Sequence, residues 1–169
     1  FLTVPLVLDK VYGNVRKEID AGGLKGYLVG RAVSAKQRLA RGSGNLVDQL
    51  VNATIGGQVI AKIQEQLSKR VGQNLELLIV GSAKADPEAL DFFQDVLGIR
   101  TFEGYGTTEC APLIAANHRF GRKTGTVGRP LFEVRLVDEG GDVIAWGDPG
   151  VKAYNGNTSA GELWVSGDN

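Results

Sequence analysis

The sequence predicts an α/β fold: helices around a short parallel sheet built from a β-α-β unit, followed by a small antiparallel β meander. Three observations predict it. Residues 3–71 carry apolar side chains at helical spacing between glycine stops. The runs 75–80 and 99–102 are short, apolar and separated by one helix, so the two strands should be parallel with a right-handed crossover. From Gly125 onward, alternation and glycine turns replace the helical period.

The elements follow in order. Thr3 can cap a helix over residues 3–20 and Pro5 suits its first turn. Val4, Val7, Leu8, Val11, Tyr12, Val15 and Ile19 form its apolar stripe, and Gly22-Gly23 ends it. A second helix over 24–41 has Leu24, Leu28, Ala32, Ala35 and Leu39 on one face. It also carries Lys25, Arg31, Lys36, Arg38 and Arg41, with no acid between residues 21 and 47. Such a stretch is either a solvated helical face or a surface for anionic lipid or an acidic partner. Gly42-Ser43-Gly44 breaks the chain, and helices follow at 46–54 and 58–71, the latter closed by Gly72. The run 75–80 reads as a strand buried on both faces. Asp86-Pro87 starts a helix with buried Leu90, Phe93 and Leu97, and Gly98 closes it. Residues 132–138, 143–146 and 163–165 are the strands of the meander.

Composition excludes several classes. Nineteen Lys+Arg balance nineteen Asp+Glu, which argues against a nucleic-acid partner held by charge. No apolar run reaches the roughly 18 residues of a membrane span, and no signal peptide opens the chain, so the expected location is cytoplasmic. One Cys and one His rule out an internal disulfide and a multi-His metal site. Cys110 has no obvious activator and reads as buried filler; His118 reads as structural or solvent-facing. The chain begins at Phe1 and contains no Met, so it is expected to be an internal piece of a longer enzyme.

Chemistry is expected after the two parallel strands, because open α/β sheets bind ligands outside the carboxyl ends of their strands. Gly81-Ser82-Ala83 and Gly104-Tyr105-Gly106 stand there, and small residues let a ligand approach the backbone. Tyr105 could lie over a planar base, the hydroxyls of Thr107 and Thr108 suit a phosphate, and Glu109 beside it suits Mg²⁺. The plain readings stay open: a turn with a packed Tyr, an N-cap at Thr108, a first-turn acid at Glu109. The run is not a dinucleotide fingerprint, since Glu109 stands where Gly is needed, and Gly121-Arg122-Lys123-Thr124 lacks the earlier Gly of a P-loop.

Phe102-Glu103-Gly104-Tyr105-Gly106-Thr107-Thr108-Glu109 resembles the Tyr-Gly-x-Thr-Glu motif of adenylate-forming enzymes: acyl-CoA synthetases, luciferases and peptide-synthetase adenylation domains. Gly81-Ser82-Ala83 resembles their Gly-Gly-Ala loop, with Ser for the second Gly. Thr124–Pro130 resembles Gly-x-Val-Gly-x-Pro, and Gly161–Gly167 resembles Gly-Glu-Leu-x-x-x-Gly. The opening residues 4–12 and the basic helical segment resemble the long-chain fatty acyl-CoA synthetase branch. Lys152–Ala160 looks like an insertion, and Phe132-Glu133 stands where the family often has Pro-Gly.

The resemblance implies a central fragment of the large N-terminal domain: residues 1–124 its α/β part, 125–169 its β-rich part, incomplete at both ends. It implies an ATP-dependent ligase that activates a fatty acid as acyl-AMP and transfers it to coenzyme A. Tyr105 would stack on adenine, Thr108 hold the AMP phosphate and Glu109 ligate Mg²⁺, with Thr108 and Glu109 as the catalytic pair. Gly81, Ser82, Ala83, Gly104, Gly106 and Thr107 would complete the nucleotide and acyl-substrate wall. The family's Thr/Ser/Gly-rich phosphate loop with its Lys is not in this sequence, so the chain alone is expected to be inactive. The alternatives are a carrier-protein ligase, an acyl-glycerophospholipid synthetase, an amino-acid adenylation domain, or a non-catalytic module contacting a membrane through residues 25–41.

Overall fold

The computed structural model describes residues 2–3, 5–72, 74–110, 112–118, 122–149 and 159–167. The chain forms two compact units, Phe1–Thr101 and Phe102–Asn169.

The first unit opens with strand β1 (Leu2–Thr3) and helix α1 (Pro5–Asp20). Thr3 therefore does not cap a helix: it is buried in β1, which pairs parallel with β2 (Leu77–Val80) through Leu2↔Ile79 and Thr3↔Val80. The cap reading failed because the partner strand lies over seventy residues away. Pro5 does take the first turn of α1, and Leu8 and Val15 are buried as expected, while Val7 is 42% exposed. Val4 lies outside the described residues.

Helix α2 (Gly23–Ala40) buries Gly26, Val29, Ala32, Val33 and Ala35. Of the expected face, Ala32 and Ala35 are buried, Leu28 and Leu39 are half-buried, and Leu24 is exposed. At Gly26 a Cβ would lie 2.7 Å from the Glu18 carbonyl oxygen, so α2 meets the end of α1 at this glycine. Helix α3 (Leu46–Val51) is started by a capping box. The Asp48 N–H donates to Asn45 Oδ1 at 2.9 Å and the Asn45 N–H to Asp48 Oδ2 at 3.2 Å. Two separate helices were expected next, but a wide π-type turn, Asn52–Gly56, joins α3 to α4 (Gly57–Val71). The kink sits at Thr54, whose hydroxyl donates to the Leu50 carbonyl at 2.7 Å and competes with the helical ladder.

In β2, Leu78 and Val80 are buried and Ile79 is 36% exposed, so the strand is not buried equally on both faces. Asp86 caps α5 (Pro87–Asp91), accepting the Glu88 N–H at 2.9 Å with Pro87 at the first position. A second wide turn, Phe92–Val96, continues it and turns both Phe92 and Phe93 inward. Leu90, Phe93 and Leu97 are buried as expected, and they join Leu8, Val33, Ile60 and Val80 in one core. Strand β3 (Arg100–Tyr105) neighbours β2, and its Arg100 N–H donates to the Glu76 carbonyl at 3.0 Å. The starts of the two strands lie side by side, which is the parallel β-α-β arrangement.

In the second unit, the rest of β3 pairs antiparallel with β4 (Ala115–Ala116), and β4 pairs with β5 (Arg129–Pro130). β3 thus runs three residues past the predicted end, because β4 supplies a partner for Gly104 and Tyr105. A separate antiparallel sheet holds β6 (Glu133–Val137), β7 (Val143–Gly147) and β8 (Glu162–Ser166) in the order β7-β6-β8. The three strands are those the alternation predicts, with β6 in the middle: β8 returns to the free edge of β6. The turn after β6 is held by Asp138 Oδ1, which accepts the N–H groups of Gly140 and Asp142, each at 2.9 Å. Most of the Lys152–Ala160 segment lies outside the described residues.

Candidate functional site

Both predicted loops stand at the carboxyl ends of their strands. In the first unit Gly81 follows β2 directly and its N–H donates to the Thr3 carbonyl at 3.3 Å. Ser82 and Ala83 are exposed. Ser82 has φ 72°, the only positive value outside glycine among the described residues. A left-handed residue belongs where the family loop has its second Gly, so the substitution keeps the turn at a backbone cost.

In the second unit, Gly104 and Tyr105 end β3, and Gly106 and Thr107 lead into a single 3-10 turn, Thr108–Cys110. The Tyr105 carbonyl accepts the Ile114 N–H at 2.8 Å, and the Cys110 N–H donates to the Thr107 carbonyl at 3.1 Å. Tyr105 itself is 41% exposed, so its ring is available to a planar partner. Gly106 is required: a Cβ there would lie 1.8 Å from the Pro112 carbonyl oxygen and 2.8 Å from the Leu113 Cα. Thr107, Thr108 and Glu109 are exposed. The Glu109 carboxyl is held below its usual range, first by its own backbone N–H and then by the Thr107 hydroxyl. It is therefore ionised at neutral pH. This run brings together an exposed ring, two hydroxyls and an oriented carboxylate, a set suited to a base, a phosphate and a hard cation.

Sequence reasoning missed Glu103 and Asn117, both buried in this unit. The Gly125 N–H donates to Glu103 Oε2 at 3.0 Å, and the Asn117 N–H donates to the Glu103 carbonyl at 2.9 Å. A carboxylate two residues before Tyr105 on a strand was the available signal. Cys110 and His118 are half-buried, so Cys110 is less enclosed than expected.

Three of the five α2-region cations are committed within the first unit. Lys25 pairs with Glu18 at 3.1 Å, Arg38 grips Asp48 through two nitrogens, and Arg41 bridges Asp91 at 3.0 Å and Asp95 at 2.7 Å. Among the described residues Arg31 and Lys36 make no ion pair. The acids that pair with these cations come from α1, α3 and the α5 region, outside residues 21–47. Two clefts of the first unit, 310 and 420 Å³, are lined by residues such as Leu67, Leu97 and Ile63, and by none of the predicted loops. No described helix is long and apolar enough to cross a membrane.

Comparison with known proteins agrees with the motifs. Residues 34–169 match the AMP-binding enzyme family. Long-chain-fatty-acid–CoA ligase 6 of Rattus norvegicus is 31% identical over 140 residues, which is 82% of this chain and 19% of that protein. Long-chain-fatty-acid–CoA ligase 5 of the same organism is 32% identical over 135 residues, 78% of this chain and 18% of that protein. The chain thus spans about a fifth of the length of these relatives. A benzoate CoA ligase structure from Burkholderia xenovorans LB400 overlaps 66% of this chain and 21% of its own, at 21% identity and a TM-score of 0.49. With four ordered motifs and a family match over most of its length, the chain belongs to the AMP-binding, adenylate-forming enzymes.

Proposed function

We propose that this chain is part of an ATP-dependent fatty acid–CoA ligase, which makes an acyl adenylate from a fatty acid and ATP and passes the acyl group to coenzyme A. The observation that carries the proposal is the run Gly104–Glu109 at the end of β3, with its exposed Tyr105 ring and ionised Glu109. The similarity to two long-chain-fatty-acid–CoA ligases supports the acid and the acceptor.

In this reading Tyr105 stacks on adenine and Thr108 offers its hydroxyl to the AMP phosphate, while the Thr107 hydroxyl is donated to Glu109. Gly104 and Gly106 keep the loop close to the reacting carboxylate. Gly81, Ser82 and Ala83 line the adenine and acyl wall. The donor set at Glu109 fits Mg²⁺, which takes one or two carboxylates and completes its shell with phosphate oxygens and water. Held by Glu109, such an ion would supply positive charge to the phosphates. Thr107 orients the Glu109 carboxylate toward that work. The membrane-surface reading of residues 25–41 is not carried forward, because Lys25, Arg38 and Arg41 already hold carboxylates.

The test is ATP–pyrophosphate exchange by the natural full-length protein, with short-, medium- and long-chain fatty acids and with amino acids. Exchange with fatty acids is expected. Glu109→Gln should lower kcat about 100-fold, the order seen when a charge-stabilising group is lost. Exchange only with amino acids points to an adenylation domain, and no exchange with any acid overturns the proposal.

A further inference from the structure

We infer that Glu103 is a positioning residue: it straps the turn Lys123–Thr126 to the strand that carries Tyr105, and so sets nucleotide affinity without touching the nucleotide. The inference rests on the nucleotide reading of Tyr105.

The alternation of β3 puts Thr101, Glu103 and Tyr105 on one face. Thr101 is fully buried and Glu103 is 8% exposed, whereas Tyr105 opens to 41%. A carboxylate buried in a strand is costly unless its oxygens accept hydrogen bonds. One of those bonds comes from the Gly125 N–H at 3.0 Å. It ties the turn to the same face of β3 as the Tyr105 ring, one residue pair further back.

Asn117, 4% exposed, completes the strap. Its Oδ1 accepts the Lys123 N–H at 3.1 Å and its Nδ2 donates to the Thr126 carbonyl, so both ends of the turn are held. The turn also closes on itself. The Thr126 N–H and hydroxyl both donate to the Lys123 carbonyl, at 3.1 and 2.8 Å. Just beyond, Gly128 at φ 82° lies so close to β4 that a Cβ would sit 2.1 Å from the Ala116 carbonyl oxygen. Asn117 and Gly128 shape the turn and anchor it to β4. Among these contacts, the Glu103 carboxylate is the side chain that joins it to β3. Residues 124–130 are also one of the ordered motifs. Their place in the motif set is explained if they form a wall beside the ring, held at a set distance by Glu103.

The test compares Glu103→Ala with Glu103→Gln in the natural full-length protein. Removing the acceptor should raise KM for ATP about tenfold and leave kcat within about twofold, the consequence of losing one hydrogen bond to a charged group. Glu103→Gln keeps a carbonyl acceptor and should return KM to within about threefold of the parent. A uniform structural defect would instead lower kcat and the yield of folded protein together. Unchanged KM in Glu103→Ala overturns the inference and leaves the ligase reading standing. No exchange activity in the parent overturns both. Should Glu103→Ala not fold, hydrogen exchange in the parent decides: a Gly125 amide exchanging as fast as an open loop amide overturns the strap, and protection supports it.

Discussion

At Ser82 the backbone takes φ 72°, a conformation that L side chains adopt at a cost of roughly 1–2 kcal/mol. The family loop it resembles has Gly there. Ser82→Gly relieves the strain and adds chain entropy to the unfolded state, about 0.5–1 kcal/mol in the other direction. The balance should stabilise the protein by about 0.5–1 kcal/mol, read as a shift of the urea midpoint at constant slope. A lower midpoint would show that the Ser82 side chain contributes more than its backbone strain costs. Gly106 illustrates the opposite demand: it is free of φ strain, but the Pro112 carbonyl occupies the space a side chain would need. Both residues were visible in the sequence as members of motifs. The reason each position needs a small residue became visible only with the neighbouring backbone in place.

The helices meet through charges as well as through the core. Arg38 on α2 grips Asp48 on α3, a carboxylate 1% exposed that also belongs to the capping box of its own helix. Its carboxyl is held down from 3.8 to about 2, chiefly by the Arg38 hydrogen bonds. The folded state therefore binds this proton less readily than the unfolded chain. Asp48 contributes stability above its unfolded value near 3.8, and that contribution disappears as pH falls through about 2. Asp48→Asn should lower the thermal midpoint at pH 7 and flatten its fall between about pH 4 and pH 2, so that the two curves converge. Parallel curves for parent and variant would mean that Arg38 adds nothing at the junction. At this scale the sequence located every long element, since helical spacing, the Asp86-Pro87 start and the glycine stops are local signals. It put Leu24 on the inner face of α2, joined residue 3 to a helix, and left β4 and β5 unseen. Each of those depends on a partner far along the chain.

For the molecule as a whole the formal net charge is zero, and several of its cations form ion pairs. Lys25, Arg38 and Arg41 look like a basic stripe along the chain but hold acids from α1, α3 and the α5 region. Replacing Arg31 and Lys36 by Gln should leave cosedimentation of the full-length protein with anionic vesicles unchanged. A salt-sensitive loss of binding in that double variant would restore the membrane reading of the helix. The α/β class, the order of helices and strands, and the run Tyr105–Glu109 were determined by the sequence itself, because periodicity, caps and motif spacing act over a few residues. The tertiary structure alone decided which cations are spent on helix junctions, why Gly106 and Gly128 admit no side chain, and that Glu103 and Asn117 hold the turn Lys123–Thr126. These are contacts between residues distant in the chain, and burial and hydrogen-bond geometry exist only once the strands have paired.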